Sequence, residues 1–262
     1  MILHDIISYL EEIAPPHLQE SYDNSGLIFG HLDQEVTGAL VSLDCTEDVV
    51  DEALSLGYNL IVSHHPIVFS GIKKFRQDNY VHRVVIKAIQ HNIAIYAIHT
   101  NLDNVLNHGV NQKIAQKIGL CNCTILRPKD PQEPRIGSGV IGDLPEAIDS
   151  VAFLDHLKAS MNLNIIKHTA LLSRPVQRVA LCGGVGSFLL ADAKAAGADI
   201  FVTADYKYHE FFDADGVITI IDIGHYESEY FTIELLFELL TEKFPKFAAR
   251  STKVVTNPIN YY

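Results

Sequence analysis

Short apolar runs rich in valine and isoleucine alternate with segments of helical period, and the alternation occurs twice along the chain. Residues 38–43, 59–63 and 93–98 read as strands, with helices over 46–56, 81–90 and 110–118. The second half has strands over 176–181, 199–203 and 217–223, with helices over 188–196 and 228–240. A strand that is apolar on both faces needs cover on both sides, which the helices of a layered α/β fold supply. An opening helix over 3–13 is stopped by Pro15-Pro16. Between the halves, 127–134 is rich in proline and charge and reads as a linker, followed by a strand over 136–141, a helix over 148–161 and a strand over 170–172.

The two halves look alike. With Gly57 set on Gly197, Leu60-Ile61-Val62-Ser63-His64-His65 falls on Ile200-Phe201-Val202-Thr203-Ala204-Asp205. A shorter connection then sets Ile95–His99 on Ile221–His225, and Asp103 on Glu229. The expected fold class is therefore α/β, with two similar domains related by an internal duplication, mostly parallel strands and a metal site between them. The domains are read as 1–126, with His64, His65 and Asp103, and 127–262, with His225 and Glu229, forming one compact unit.

The net charge of −12 argues against binding the phosphate backbone of a nucleic acid. No apolar stretch approaches the roughly 20 residues of a membrane helix. The start has no basic segment followed by an apolar core, so no signal peptide is expected. Cys45, Cys121, Cys123 and Cys182 form no C-x-x-C pair and read as reduced thiols in a cytoplasmic protein.

Three polar clusters each follow an expected strand: His64-His65, His99-Thr100-Asn101-Leu102-Asp103 and His225-Tyr226-Glu227-Ser228-Glu229. Ligands of open α/β sheets bind beyond the carboxyl ends of the strands, where such clusters can converge. Neutral imidazoles and carboxylates suit zinc, iron or manganese. So many ligands suit two divalent ions bridged by a carboxylate better than one catalytic ion. An isolated histidine at a strand end is more often a hydrogen-bonded core residue; it is the joint occurrence of the three clusters that points to metal. His99 is read as an outer-sphere group that orients Asp103 or another ligand. Glu227 is read as a neighbour of the site, in the outer sphere or simply solvated. Asp205, Lys207 and His209 also follow a strand and are read as acid–base or substrate groups, with a structural use equally open. Cys182-Gly183-Gly184-Val185-Gly186-Ser187 offers either an anion cradle or a tight strand-to-helix turn.

Six ordered motifs carry a resemblance over nearly the whole chain: Tyr22-Asp23-Asn24-Ser25-Gly26-Leu27, Ser63-His64-His65-Pro66, Asn101-Leu102-Asp103, Gly183-Gly184-Val185-Gly186-Ser187, Thr203-Ala204-Asp205-Tyr206-Lys207-Tyr208-His209 and Gly224-His225-Tyr226-Glu227-Ser228-Glu229. Together they resemble the Nif-three-like family of GTP cyclohydrolase type 2 homologues, in its short bacterial form without an inserted domain. The resemblance implies two α/β domains, a dinuclear metal centre and a ring-shaped homohexamer. It implies His64, His65, Asp103, His225 and Glu229 as the metal ligands, with Glu229 bridging and His99 outside the ligand set. It implies a hydrolase whose small-molecule substrate is a nucleotide such as GTP, opened at its imidazole ring by water activated at the metals. A metal-binding scaffold or regulatory ring without turnover is the alternative.

Overall fold

Leu60–Ser63 is buried at every position, and it forms the middle of a five-stranded sheet. The strands are β1 (Gly26–Phe29), β2 (Ala39–Ser42), β3 (Leu60–Ser63) and β4 (Ala94–Ala97), completed by Ala249–Ser251 on the far edge of β2. All run parallel except β1, which lies antiparallel on β4. The helix Glu47–Leu56 starts where the Thr46 hydroxyl accepts the Val49 N–H and stops at Gly57, whose φ of 69° allows the turn back. Its Val49, Val50 and Ala53 pack with Val84, Val85 and Ala88 of the helix Tyr80–Gln90 onto Leu40, Ile61 and Ile95 of the sheet. The computed structural model describes residues 1–262. This sheet belongs to a unit made of Met1–Leu102 and Thr232–Asn260.

The second unit is Asp103–Phe231 with Tyr261–Tyr262. Its strands are β5 (Cys121–Pro128), β6 (Gly137–Ile148), β7 (Lys167–His168), β8 (Val176–Val185), β9 (Ile200–Ala204) and β10 (Thr219–Asp222), in the order β5-β6-β8-β9-β10-β7. Strands β8, β9 and β10 are parallel, and β5, β6 and β7 pair antiparallel. Both units thus share one path. An antiparallel strand that precedes three parallel strands in the chain, β1 or β7, borders the last of them. That is the topology a duplication would leave.

Several expectations are corrected. The register of the duplication shifts by one in its last strand: Ile98 N–H donates to Ser63 and Ile223 N–H to Thr203, so Ile98 matches Ile223 and His99 matches Gly224. The chain crosses between units at 102/103 and 231/232, not at 126/127, which places Asp103 in the second unit. The proline-rich stretch is no linker, because Arg127 and Pro128 end β5 in register with β6 and 129–136 is the hairpin loop between them. Residues 170–172 are not a strand; the pairing with β10 is made by Lys167–His168. Strand β8 runs on through Gly183-Gly184 to Val185, with a bulge against β9 between Leu181 and Val185, so the expected tight turn falls later, at Gly186. The last helix is divided at Tyr230-Phe231 into His225–Glu229 and Thr232–Lys243. No helix is long and apolar enough to cross a membrane.

Candidate metal centre

In the first unit, His64 and His65 continue the β3 ladder, their N–H groups donating to Ser42 and Leu43 of the neighbouring strand. The backbone therefore fixes where both rings start. His64 Nδ1 donates to the Ile98 carbonyl at 2.8 Å, and His65 Nδ1 pairs with Asp44 Oδ1 at 2.8 Å. The other Asp44 oxygen accepts from Thr256 Oγ1 at 2.6 Å. His99 Nδ1 pairs with Asp23 Oδ1 at 2.8 Å. The three rings lie 4.9–5.3 Å apart between centroids, and one nitrogen from each lies within 4.8 Å of the others. With Nδ1 held by an oxygen, the nitrogen each imidazole offers to a ligand is Nε2.

Asp23 is the hub of this half. Its carboxylate is fully buried and accepts from His99, the Thr100 N–H and hydroxyl, and Ser25 Oγ. Burial alone would raise its pKa, but the hydrogen bonds and the neighbouring His99 outweigh it and hold the carboxyl well below the usual carboxylate range. Asp44 shows the same balance: burial opposes ionisation, and His65 and Thr256 more than offset it.

In the second unit, the short helix His225–Glu229 sets its two ends on one face, four residues apart. His225 Nε2 lies 3.0 Å from Glu229 Oε2, and its Nδ1 lies 2.7 Å from Asp205 Oδ2. Asp103 and Glu229 bring carboxylate oxygens within 4.8 Å of each other. Gly183 and Gly184, swung out by the β8 bulge, form the floor under Glu229: a β-carbon on Gly184 would come within 2.5 Å of Oε1. Asn111 ties the floor to Asp103, accepting the Gly183 N–H at 2.9 Å and donating to the Asp103 carbonyl at 3.1 Å. The Gly184 N–H donates to Ser228 Oγ at 2.9 Å. Two neighbouring carboxylates in a buried setting repel each other and favour a cation between them. The buried Cys182 thiol senses them: burial first, then Asp103 and Glu229, push its pKa far up.

The expected residues fall as follows. His64, His65 and His99 come together in one unit, and Asp103, His225 and Glu229 in the other. His99, expected in the outer sphere orienting Asp103 or another ligand, is itself oriented by Asp23. Asp205 holds His225. Lys207 is exposed and reaches Glu210 at 3.8 Å, while His209 stacks against Phe212 on the surface. Glu227 shares a hydrogen bond with the Tyr261 hydroxyl. The orienting carboxylates Asp23 and Asp44 stand outside the site residues expected from the sequence. Asp44 stands two residues past β2, at the same sheet end as His65, and that position is the signal that could have found it.

The donor set, imidazole nitrogens and carboxylate oxygens with every ring oriented by an oxygen, fits a divalent first-row ion. The glycine floor fits it too, since it lets Glu229 lie against the backbone with no side chain in the way.

The Duf34/NIF3 (NGG1p interacting factor 3) family model matches residues 1–258. A Clostridium perfringens protein named GTP cyclohydrolase 1 type 2 homolog is 33% identical over 244 residues, covering 93% of this chain and 92% of its own. A Staphylococcus epidermidis protein of the same name is 27% identical over 371 aligned residues that cover both chains completely, so it carries a segment this chain lacks. The crystal structure of a Staphylococcus aureus hypothetical protein superposes with a TM-score of 0.92 at 32% identity, covering 100% of this chain and 99% of that one. A Bacillus cereus protein related to NIF3 superposes with a TM-score of 0.93 at 27% identity, with the same coverage.

Proposed function

We propose that this chain, which belongs to the Duf34/NIF3 family, binds two divalent metal ions and hydrolyses a small molecule at them. His64, His65, Asp103, His225 and Glu229 would hold the ions, with Glu229 bridging and His99 in the outer sphere. One observation carries this reading: His64, His65, His99 and His225 each have Nδ1 held by an oxygen at 2.7–2.8 Å. Histidines that only fill space need no such uniform orientation, whereas ligands do.

When bound, such a pair of ions supplies water of lowered pKa and polarises an electron-poor centre. The residues of this chain do the rest. Asp44 and Asp205 fix the His65 and His225 rings and raise their basicity as ligands. Asp23 fixes His99 beside His64 and His65, where its Nε2 is available to hydrogen-bond water or substrate.

A nucleotide such as GTP is the substrate we assign, supported by the name of the Clostridium perfringens relative. Assembly into a homohexameric toroid and a cytoplasmic location belong to the same reading; light scattering and cell fractionation test them. The central experiment is elemental analysis of protein purified without chelator, together with GTP turnover by the same sample. About two metals per chain with a new product supports the reading. Two metals without turnover removes GTP and leaves the centre. No metal, even after addition of zinc, manganese or iron(II), overturns it, and the scaffold alternative would then rest on partner binding alone.

A further inference from the structure

Asp222 ends β10 after Thr219, Ile220 and Ile221, and it is 1% exposed. A carboxylate at such a place is costly unless its oxygens are used. Here both are. Oδ2 accepts the Tyr206 N–H at 3.1 Å and Oδ1 accepts the Gly224 N–H at 3.0 Å, while Lys167 Nζ reaches Oδ2 at 2.6 Å. Tyr206 follows Asp205, and Gly224 precedes His225. Both connections are conformationally unusual: Asp205 has a φ of 54° and Gly224 a φ of 91°. A non-glycine residue in the left-handed region costs roughly 1 kcal/mol or more and needs its surroundings to hold it there. Asp222 stands between the two loops and bonds to each, one residue away from the pair that meets at 2.7 Å.

We infer that Asp222 is a positioning residue for the centre. By pinning the Asp205 loop and the His225 loop to one buried carboxylate, it sets the Asp205–His225 hydrogen bond and so aims His225 Nε2. Its value as a route to metal affinity rests on the proposed metal centre; its control of the His225 ring does not. The first unit has no counterpart: the residue matched to Asp222 in the strand register is Ala97. There Asp44 stands two residues past β2 and accepts from Thr256, so the His65 ring is aimed without a carboxylate inside the sheet.

The test compares Asp222→Asn with Lys167→Met. The amide oxygen of Asn can accept one backbone N–H but its NH2 group faces the other, so one loop is released at nearly unchanged volume. Lys167→Met removes the ammonium and leaves both backbone bonds. In metal-free protein, the imidazole proton resonance of His225 Nδ1 should shift or broaden in Asp222→Asn and stay in place in Lys167→Met, with the His65 resonance unmoved in both. Zinc affinity should fall about 10–100-fold in Asp222→Asn and change little in Lys167→Met. If Asp222→Asn fails to fold by circular dichroism, Asp222→Glu carries the test, since it keeps the charge and displaces the carboxylate by one methylene; its His225 resonance should move as well. An unmoved His225 resonance in the folded Asp222 variant overturns the inference, and so does equal damage from Lys167→Met. If the parent protein binds no zinc, the metal reading fails while the resonance still decides the role of Asp222.

Discussion

Gly184 lies directly beneath Glu229. A β-carbon at Gly184 would sit 2.5 Å from Glu229 Oε1 and 3.3 Å from His225 Cε1, and the residue has a φ of 60°. Glycine is needed twice over, for the backbone conformation and for the closeness of the carboxylate. Gly184→Ala should therefore cost about 1–2 kcal/mol in urea unfolding and push Glu229 out of place, lowering bound zinc per chain. An alanine variant with parental stability and zinc content would show that the floor is slack.

Glu229→Ala tests the bridge itself. The side chain is 3% exposed and sits against two glycines, and the variant should keep the parent's circular dichroism spectrum. Metal per chain should fall from about two to one or fewer, as expected of a ligand shared between two ions. Retained stoichiometry would remove Glu229 from the centre.

Asp44 orients His65 without being a ligand in this reading. Asp44→Ala should weaken zinc binding by about 10–100-fold, whereas Thr256→Val, which removes one hydroxyl from the far oxygen, should have a smaller effect. Equal affinities for all three proteins by isothermal titration would show that the pair does not tune the site.

Asp23 gives a pH signature. Its folded-state pKa lies below the ordinary value of about 3.9. A group depressed in this way contributes stability that is fully present above the unfolded-state pKa and lost as pH falls through the folded-state one. Asp23→Asn should therefore be less stable than the parent from pH 5 upward, and the gap should narrow below about pH 4. A gap that widens in acid would reverse the assignment.

The thiols should differ sharply in reactivity. Cys121 is exposed. Burial, with some help from Asp44, pushes the Cys45 thiol up to about 12, and Cys182 is raised further by burial and its two acidic neighbours. A short iodoacetamide pulse at pH 8, read by peptide mass spectrometry, should label Cys121 first and leave Cys45 and Cys182 intact until the protein unfolds.

The histidine and carboxylate clusters were legible because a fully buried strand such as Leu60–Ser63 has a sharp end, and polar residues just past it announce themselves. Helix limits were legible where Thr46 and Gly57 mark them. Other features carry no local mark. Lys167–His168 is a strand only because β10 lies beside it, and nothing in two exposed basic residues says so. Matching His99 with His225 is off by one, because the hydrogen-bond ladder aligns Ile98 with Ile223 and so His99 with Gly224. The partners of Asp23 and Asp44 are far away in sequence, at Thr100 and Thr256, and only folding brings them together. Proline and charge here mark the loop of a hairpin and not the boundary between the units, which falls at 102/103 and 231/232.

The edge strand Ala249–Ser251 pairs with β2, the second strand to be made. During synthesis, the ribosome therefore delivers the second unit from Asp103 to Phe231 as one nearly uninterrupted stretch, able to collapse as it emerges, while the first waits with one edge of its sheet open. A stalled chain lacking residues past 231 should therefore be the more easily cleaved by protease in its earliest-made part, where the edge of β2 stays unpaired.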